Sequence, residues 1–254
     1  MQKNYLYKNS AYTNNVFKES LETVGKQDIS CHSILFFNRE RKMNICLPIS
    51  AELKHKQGIC SVGTCFLLRG KAEGVKLVTC AHLATQDIKF SDFSRWPSSF
   101  QLHIMGMQTF SLPLFVTVNG QHGPTFQPIN TAEGAMVDLV ALTVNDKAIS
   151  GVLSGTKIFD VTSASVAPEP GEKVTSYGFP NVEKTWPYQK PKTMDGAYCG
   201  RIAKGAHEAR IGMVEGHSGG PVLDGNGKLL GMGIGQQGEL DRIIPVDILE
   251  LVVR

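Results

Sequence analysis

Charge is scarce in this chain: Asp, Glu, Lys and Arg make up 19% of its 254 residues, and the formal net charge is +3. No long Lys/Arg block and no basic stripe interleaved with aromatics occurs, so a nucleic-acid partner is not expected. The tightest basic cluster, Arg39 to Lys42, includes Glu40 and reads as a solvated hairpin tip. Long hydrophobic runs are missing too. Nothing approaches the length of a membrane span, and the opening Met1 to Asn9 lacks the apolar core of a signal peptide. A membrane partner is not expected. The six cysteines form no C-x-x-C pair, which removes the usual zinc-site signature, and neither a metal nor a cofactor is expected. Internal repeats and low-complexity segments are absent.

What the chain does have is concentrated in Glu215-Gly216-His217-Ser218-Gly219-Gly220-Pro221-Val222. A serine in a glycine-packed turn is what acyl transfer requires: an accessible hydroxyl, with backbone N–H groups converging where an oxyanion forms. Two enzyme classes write such a turn, the G-x-S-x-G elbow of α/β-hydrolases and the nucleophile loop of chymotrypsin-like peptidases. Chain order decides between them. In the hydrolase the histidine follows the serine and a helix begins at once. Here all seven histidines precede Ser218. Pro221 to Gly231 instead reads as strand, Asp-Gly/Asn-Gly turn, strand. The hydrolase elbow is excluded.

An upstream histidine stands in Val75-Lys76-Leu77-Val78-Thr79-Cys80-Ala81-His82-Leu83, an apolar strand running into small residues. An upstream aspartate opens Val137-Asp138-Leu139-Val140-Ala141-Leu142, at the mouth of another strand. With these three motifs in the order His82, Asp138, Ser218, the chain resembles the chymotrypsin-like serine peptidases. Detail leans toward the Deg/HtrA branch. Gly171 to Pro180 resembles its Gly-Asp-x-Val-x-x-x-Gly-x-Pro strand, Ile243-Ile244-Pro245-Val246 its closing strand, and Gly63-Thr64-Cys65-Phe66 its Gly-Ser-Gly-Phe, with Cys65 a departure. Too few residues follow Pro245 for a PDZ domain, so a bare peptidase unit over about residues 57–254 is expected.

The resemblance implies an all-β fold of two six-stranded antiparallel Greek-key barrels with a C-terminal helix. Residues 1–27 read as a polar extension with a short helix near Asn15 to Val24. Residues 28–150 form the first barrel, carrying His82 and Asp138, and 151–254 the second, carrying Ser218. A hairpin is predicted from Ile34 to Leu47, then strands near 59–68, 75–79, 100–106, 110–118 and 137–144, with 119–134 a long connection. Second-barrel strands are predicted from Lys157 to Val161, Val174 to Tyr177, Tyr198 to Ala203, Ala209 to Met213, Pro221 to Leu223 and Leu229 to Ile234. Pro245 starts the terminal helix.

The same resemblance implies a serine endopeptidase acting on protein or peptide substrates, with Ser218 as nucleophile, His82 as base and Asp138 as its orienting acid. The N–H groups of Gly216 and Ser218 form the oxyanion hole. Gly212, Met213, Gly233, Ile234 and Gly235 wall the substrate pocket, and Gly212 in place of an acid argues for an uncharged residue before the scissile bond. A non-catalytic peptide binder of the same fold is the alternative, and esters or the chain's own polyprotein are further substrates of the same chemistry. His217 replaces the Asp that digestive relatives use in activation, and no Ile-Val-Gly-Gly sequence occurs. It either orders the oxyanion loop or faces solvent, with the passive role favoured. Leu83 stands where secreted relatives carry a cysteine. Cys31, Cys46, Cys60, Cys65, Cys80 and Cys199 are therefore expected as thiols in an intracellular, cytoplasmic chain. Oligomeric state is not legible.

Overall fold

In a computed structural model, the structure describes residues 43–56, 58–70, 74–86, 89–104, 109–181, 186–187, 190–202 and 205–254. The N-terminal extension, its short helix and the Ile34 to Phe37 arm of the first hairpin lie outside the described residues.

The first layer is a curled sheet built from β1 (Leu47–Glu52), β2 (Cys60–Arg69), β3 (Val75–Thr79), β4 (Ser99–Leu102), β5 (Phe110–Pro113) and β8 (Val140–Val144), in the order β5-β4-β1-β2-β3-β8. These neighbours pair antiparallel and make a nearly closed barrel. Val75, Leu77 and Val78 of β3 and Val140, Ala141 and Leu142 of β8 are buried, the near-continuous apolar runs that drew strands there in the sequence. Phe66, Leu67, Leu68, Phe100 and Trp96 join them in the core.

The second layer is a closed barrel of β10 (Lys173–Gly178), β11 (Lys192–Arg201), β12 (His207–Arg210), β13 (Pro221–Asp224), β14 (Leu229–Gln237) and β15 (Leu240–Pro245), in the order β10-β11-β12-β15-β14-β13. Val174, Tyr198, Ala209, Met213, Val222, Leu230 and Ile243 fill its interior. The turn from β13 to β14 is made by Asp224, whose Oδ1 accepts from the N–H groups of Asn226 and Lys228, both at 2.9 Å. Pro245 precedes the C-terminal helix (Val246–Leu249), which tightens into a 3₁₀ turn over Glu250–Val252. Proline cannot supply the N–H that the first turn leaves unused, so it suits that entry.

Several details depart from the sequence reading; β11 starts at Lys192 rather than Tyr198, and β12 spans His207–Arg210 rather than Ala209 to Met213. The short strand β9 (Ile158–Asp160), expected in the second barrel, pairs parallel with β2 and extends the first sheet. The predicted strand 110–118 breaks at buried Leu114, after which β6 (Phe115–Val118) turns at Asn119-Gly120 into β7 (Gln121–Pro124). Both turn residues have positive φ, 52° and 79°, the signature of a two-residue hairpin within what read as a connection. Met43 to Cys46 forms no strand, Asn44 making a lone parallel bridge to Thr156; β1 begins at Leu47 and runs through Pro48. The strand expected to begin at Val137 instead starts at Val140.

Candidate active site

β3 ends at Thr79, and two small residues later His82 opens the one-turn helix α1 (His82–Thr85), anchored by buried Leu83 and Ala84. The register of β3 against β8 pairs Thr79 with Val140. Continued two residues past the strand ends, it brings Asp138 against the His82 turn. The contact is double: Asp138 Oδ1 accepts from the His82 main-chain N–H at 2.8 Å, and Oδ2 lies 2.7 Å from Nδ1. A carboxylate only accepts, so Nδ1 carries the proton and Nε2 is left as an acceptor.

Ser218 comes from the other barrel, in the turn before β13. Gly219 of that turn has φ 84°, and a Cβ there would lie 2.2 Å from the Thr64 carbonyl and 2.5 Å from Thr79 Oγ1. The turn can therefore seat against β2 and β3, beside the segment that leads to His82, only if this residue is glycine. Thr64 N–H donates to the Ser218 carbonyl at 2.9 Å. The Ser218 hydroxyl donates to the Ile234 carbonyl at 2.7 Å. Among the described residues no hydrogen bond joins Ser218 to His82.

From Gly216 to Gly220, the N–H groups of His217, Gly219 and Gly220 are engaged by Val214, Gly233 and His217 carbonyls. Those of Gly216 and Ser218 have no protein acceptor among the described residues. The Glu215 carbonyl accepts from Asn181 N–H at 2.9 Å. In a planar trans peptide the N–H points opposite to the carbonyl, so this bond turns the Gly216 N–H away from Asn181.

His217 does not face solvent. It is fully buried, with Nδ1 3.2 Å from Ser176 Oγ and no partner for Nε2 among the described residues. Burial pulls its pKa down from 6.5 to about 4, so the ring is neutral near pH 7. The metal-capable cluster among the described residues is Cys80, His82 and Asp138, in which Cys80 Sγ, His82 Nδ1 and both Asp138 oxygens already hold hydrogen bonds. Cys80 is buried and its Sγ donates to the Gly233 carbonyl at 3.4 Å. Burial, and then the neighbouring Asp138 charge, push its pKa well up and keep it a thiol.

A cleft of about 420 Å³ opens beside Ser218, lined by Met213, Val214, Glu215, Ser218, Gly235 and Gln236. Of the residues expected to wall the pocket, Met213 and Gly235 line it. Ile234 meets Ser218 through its carbonyl, and a Cβ on Gly233 would lie 2.8 Å from Met213 Sδ. Gly212 is exposed and does not line the cleft. Its N–H and those of Ile211 and Met213 all donate to the buried carboxylate of Asp241, at 2.7, 2.9 and 3.0 Å. Asp241 escaped sequence reading because Gln236-Gln237-Gly238-Glu239-Leu240-Asp241 looks like a polar hairpin tip.

The model of the family described as a trypsin-like peptidase domain matches residues 63–232, a span that contains His82, Asp138 and Ser218. The chain belongs to that family. Solved trypsin-like folds agree. An active-form Rv3671c protease from M. tuberculosis superposes with TM-score 0.51 at 14% identity, covering 84% of this chain and 80% of that one. A serine endoprotease from Yersinia pestis gives 0.53 at 13% identity, covering 84% and 64%. The HtrA-type protease AlgW, solved with a tripeptide, gives 0.52 at 14%, covering 84% and 62%. The trypsin-like chain thus spans less than two thirds of the last two. A comparison with curated proteins finds no sequence match.

Proposed function

We propose that this trypsin-like chain is a serine endopeptidase that cleaves peptide bonds through an acyl-enzyme on Ser218. The observation that carries the reading is the double hold of Asp138 on His82, beside a serine turn whose two unengaged N–H groups flank the nucleophile. Ser218 Oγ, rotated off the Ile234 carbonyl, attacks the scissile carbonyl while His82 Nε2 takes its proton and returns it to the leaving amine. Asp138 keeps the imidazole in the working tautomer and stabilises the imidazolium. The N–H groups of Gly216 and Ser218 receive the oxyanion, each such donor typically giving about 10²–10³ in rate. Water then hydrolyses the ester by the same steps in reverse roles.

A fluorophosphonate probe tests this directly. Labelling of Ser218 is expected, with its loss in Ser218→Ala and strong reduction in His82→Ala. Hydrolysis of a peptide library by those variants should fall by roughly 10⁴–10⁶. Peptide binding without labelling or turnover by the unmodified chain would assign it instead as a silent binder on this fold.

A further inference from the structure

We infer that Thr64 is a positioning residue of the oxyanion site, acting from the first barrel on the nucleophile turn of the second. The inference rests on the peptidase reading above for its catalytic consequence, but its geometry stands separately. β2 is longer than the partner it meets on one side: β3 covers it from Phe66 to Arg69. At Thr64 the vacant edge is taken by the nucleophile turn, with Thr64 N–H donating to the Ser218 carbonyl. The Thr64 side chain is fully buried and its hydroxyl is used at both ends. It donates to the Gly216 carbonyl at 2.7 Å and accepts from Phe179 N–H at 3.1 Å.

The consequence lies in Gly216. Its φ is 94°, and a Cβ would meet the Phe179 carbonyl at 2.1 Å, so glycine is required there. A glycine rotates freely, and a free Gly216 would not hold its N–H in one direction. Two bonds remove that freedom. The peptide before Gly216 is fixed by Asn181 N–H on the Glu215 carbonyl, and the peptide after it by the Thr64 hydroxyl on the Gly216 carbonyl. Donors preset where charge develops stabilise a transition state without reorganisation, so loosening one peptide degrades kcat more than substrate binding.

The test compares Thr64→Val, which keeps the shape and removes the hydroxyl, with Thr64→Ser, which keeps the hydroxyl. Thr64→Val is expected to lower kcat on the order of 10²-fold with KM changed little, while Thr64→Ser stays close to the parent. If Thr64→Val gives no cooperative melt, Thr64→Ala replaces it under the same criterion. Independently of turnover, hydrogen–deuterium exchange over residues 214–218 should rise in the hydroxyl-free variant and not in Thr64→Ser. Parental kcat in Thr64→Val, equal impairment of Thr64→Val and Thr64→Ser, or unchanged exchange would each overturn the inference. A parent chain that neither labels nor turns over, yet shows the exchange difference, supports the Thr64 hold and sinks the peptidase reading.

Discussion

Asp138 grips His82 with both carboxylate oxygens, one on the main-chain N–H at 2.8 Å and one on Nδ1 at 2.7 Å. The first bond fixes where the α1 turn begins, and the second fixes ring orientation and tautomer. Both side chains are largely shielded, at 27% and 12% exposure, which keeps water from competing for the pair.

Asp138→Asn separates these two functions. The amide oxygen can still accept from the His82 main chain, so folding should be close to the parent by thermal melt. Its NH₂ group, however, must donate to Nδ1, which moves the imidazole proton to Nε2 and removes the base. We expect kcat to fall by about 10⁴ with the turn intact. A loss below tenfold would show that His82 does not act as the base.

Asp241 governs the cleft wall. Its carboxylate is committed to three N–H groups of Ile211, Gly212 and Met213, so it is not free to pair a substrate cation. The acid in the cleft lining, Glu215, is exposed and accepts from the Asn181 amide at 3.3 Å, so a Lys or Arg buried beside Met213 would go unpaired at a cost, and cleavage after uncharged residues is expected. A peptide library cut mainly after Lys or Arg would refute this. Asp241→Ala orphans the three donors, at a cost of roughly 1–3 kcal/mol or more. KM should rise as Met213 loosens, and parental stability together with parental KM would refute the wall's dependence on Asp241.

Local patterns carried much of this structure. Apolar strands ending in Cys80-Ala81-His82 and beginning after Asp138 mark their own register, because each side chain sits next to the strand that positions it. The Asp-Gly/Asn-Gly turn after Ser218 is likewise legible from adjacent residues. Pro48 is the second residue of β1, a place near a strand start where its missing N–H is tolerated. β9 is assigned to the wrong barrel by sequence because three residues, Ile158 to Asp160, specify no sheet. Thr64 and Asp241 act on segments remote in sequence, and no local pattern announces such a partner.

Two buried histidines should set the acid limit of stability. Burial pulls His207 and His217 each down from 6.5 to about 4. Arg201 pushes His207 further down, and Asp247 and Asp241 oppose the respective shifts. Between those values the unfolded chain binds protons that the folded chain refuses, so stability falls as pH drops from about 6.5 to about 4. Full protonation of the unfolded side contributes on the order of 3 kcal/mol for each ring. Melting temperature should decline from pH 7 to 5, before most carboxylates titrate, and decline less in His217→Gln. A flat profile over that window would contradict the neutral buried rings.

Thiol reactivity should divide by burial. Cys46, Cys65 and Cys80 are buried free thiols whose pKa values are raised by desolvation, while Cys60 is exposed. The thiolate is the reacting species, so a buried cysteine is protected twice, by access and by protonation. N-ethylmaleimide with peptide mapping should modify Cys60 in the native protein and reach Cys46, Cys65 and Cys80 only on unfolding. Reductant should leave the melting temperature unchanged, since losing a native bridge would cost roughly 2–5 kcal/mol. Rapid native labelling of Cys80 would mean that the segment between β3 and His82 opens on the labelling timescale. The wall shared by Cys80 and Gly233 could not then be the fixed support that His82 requires.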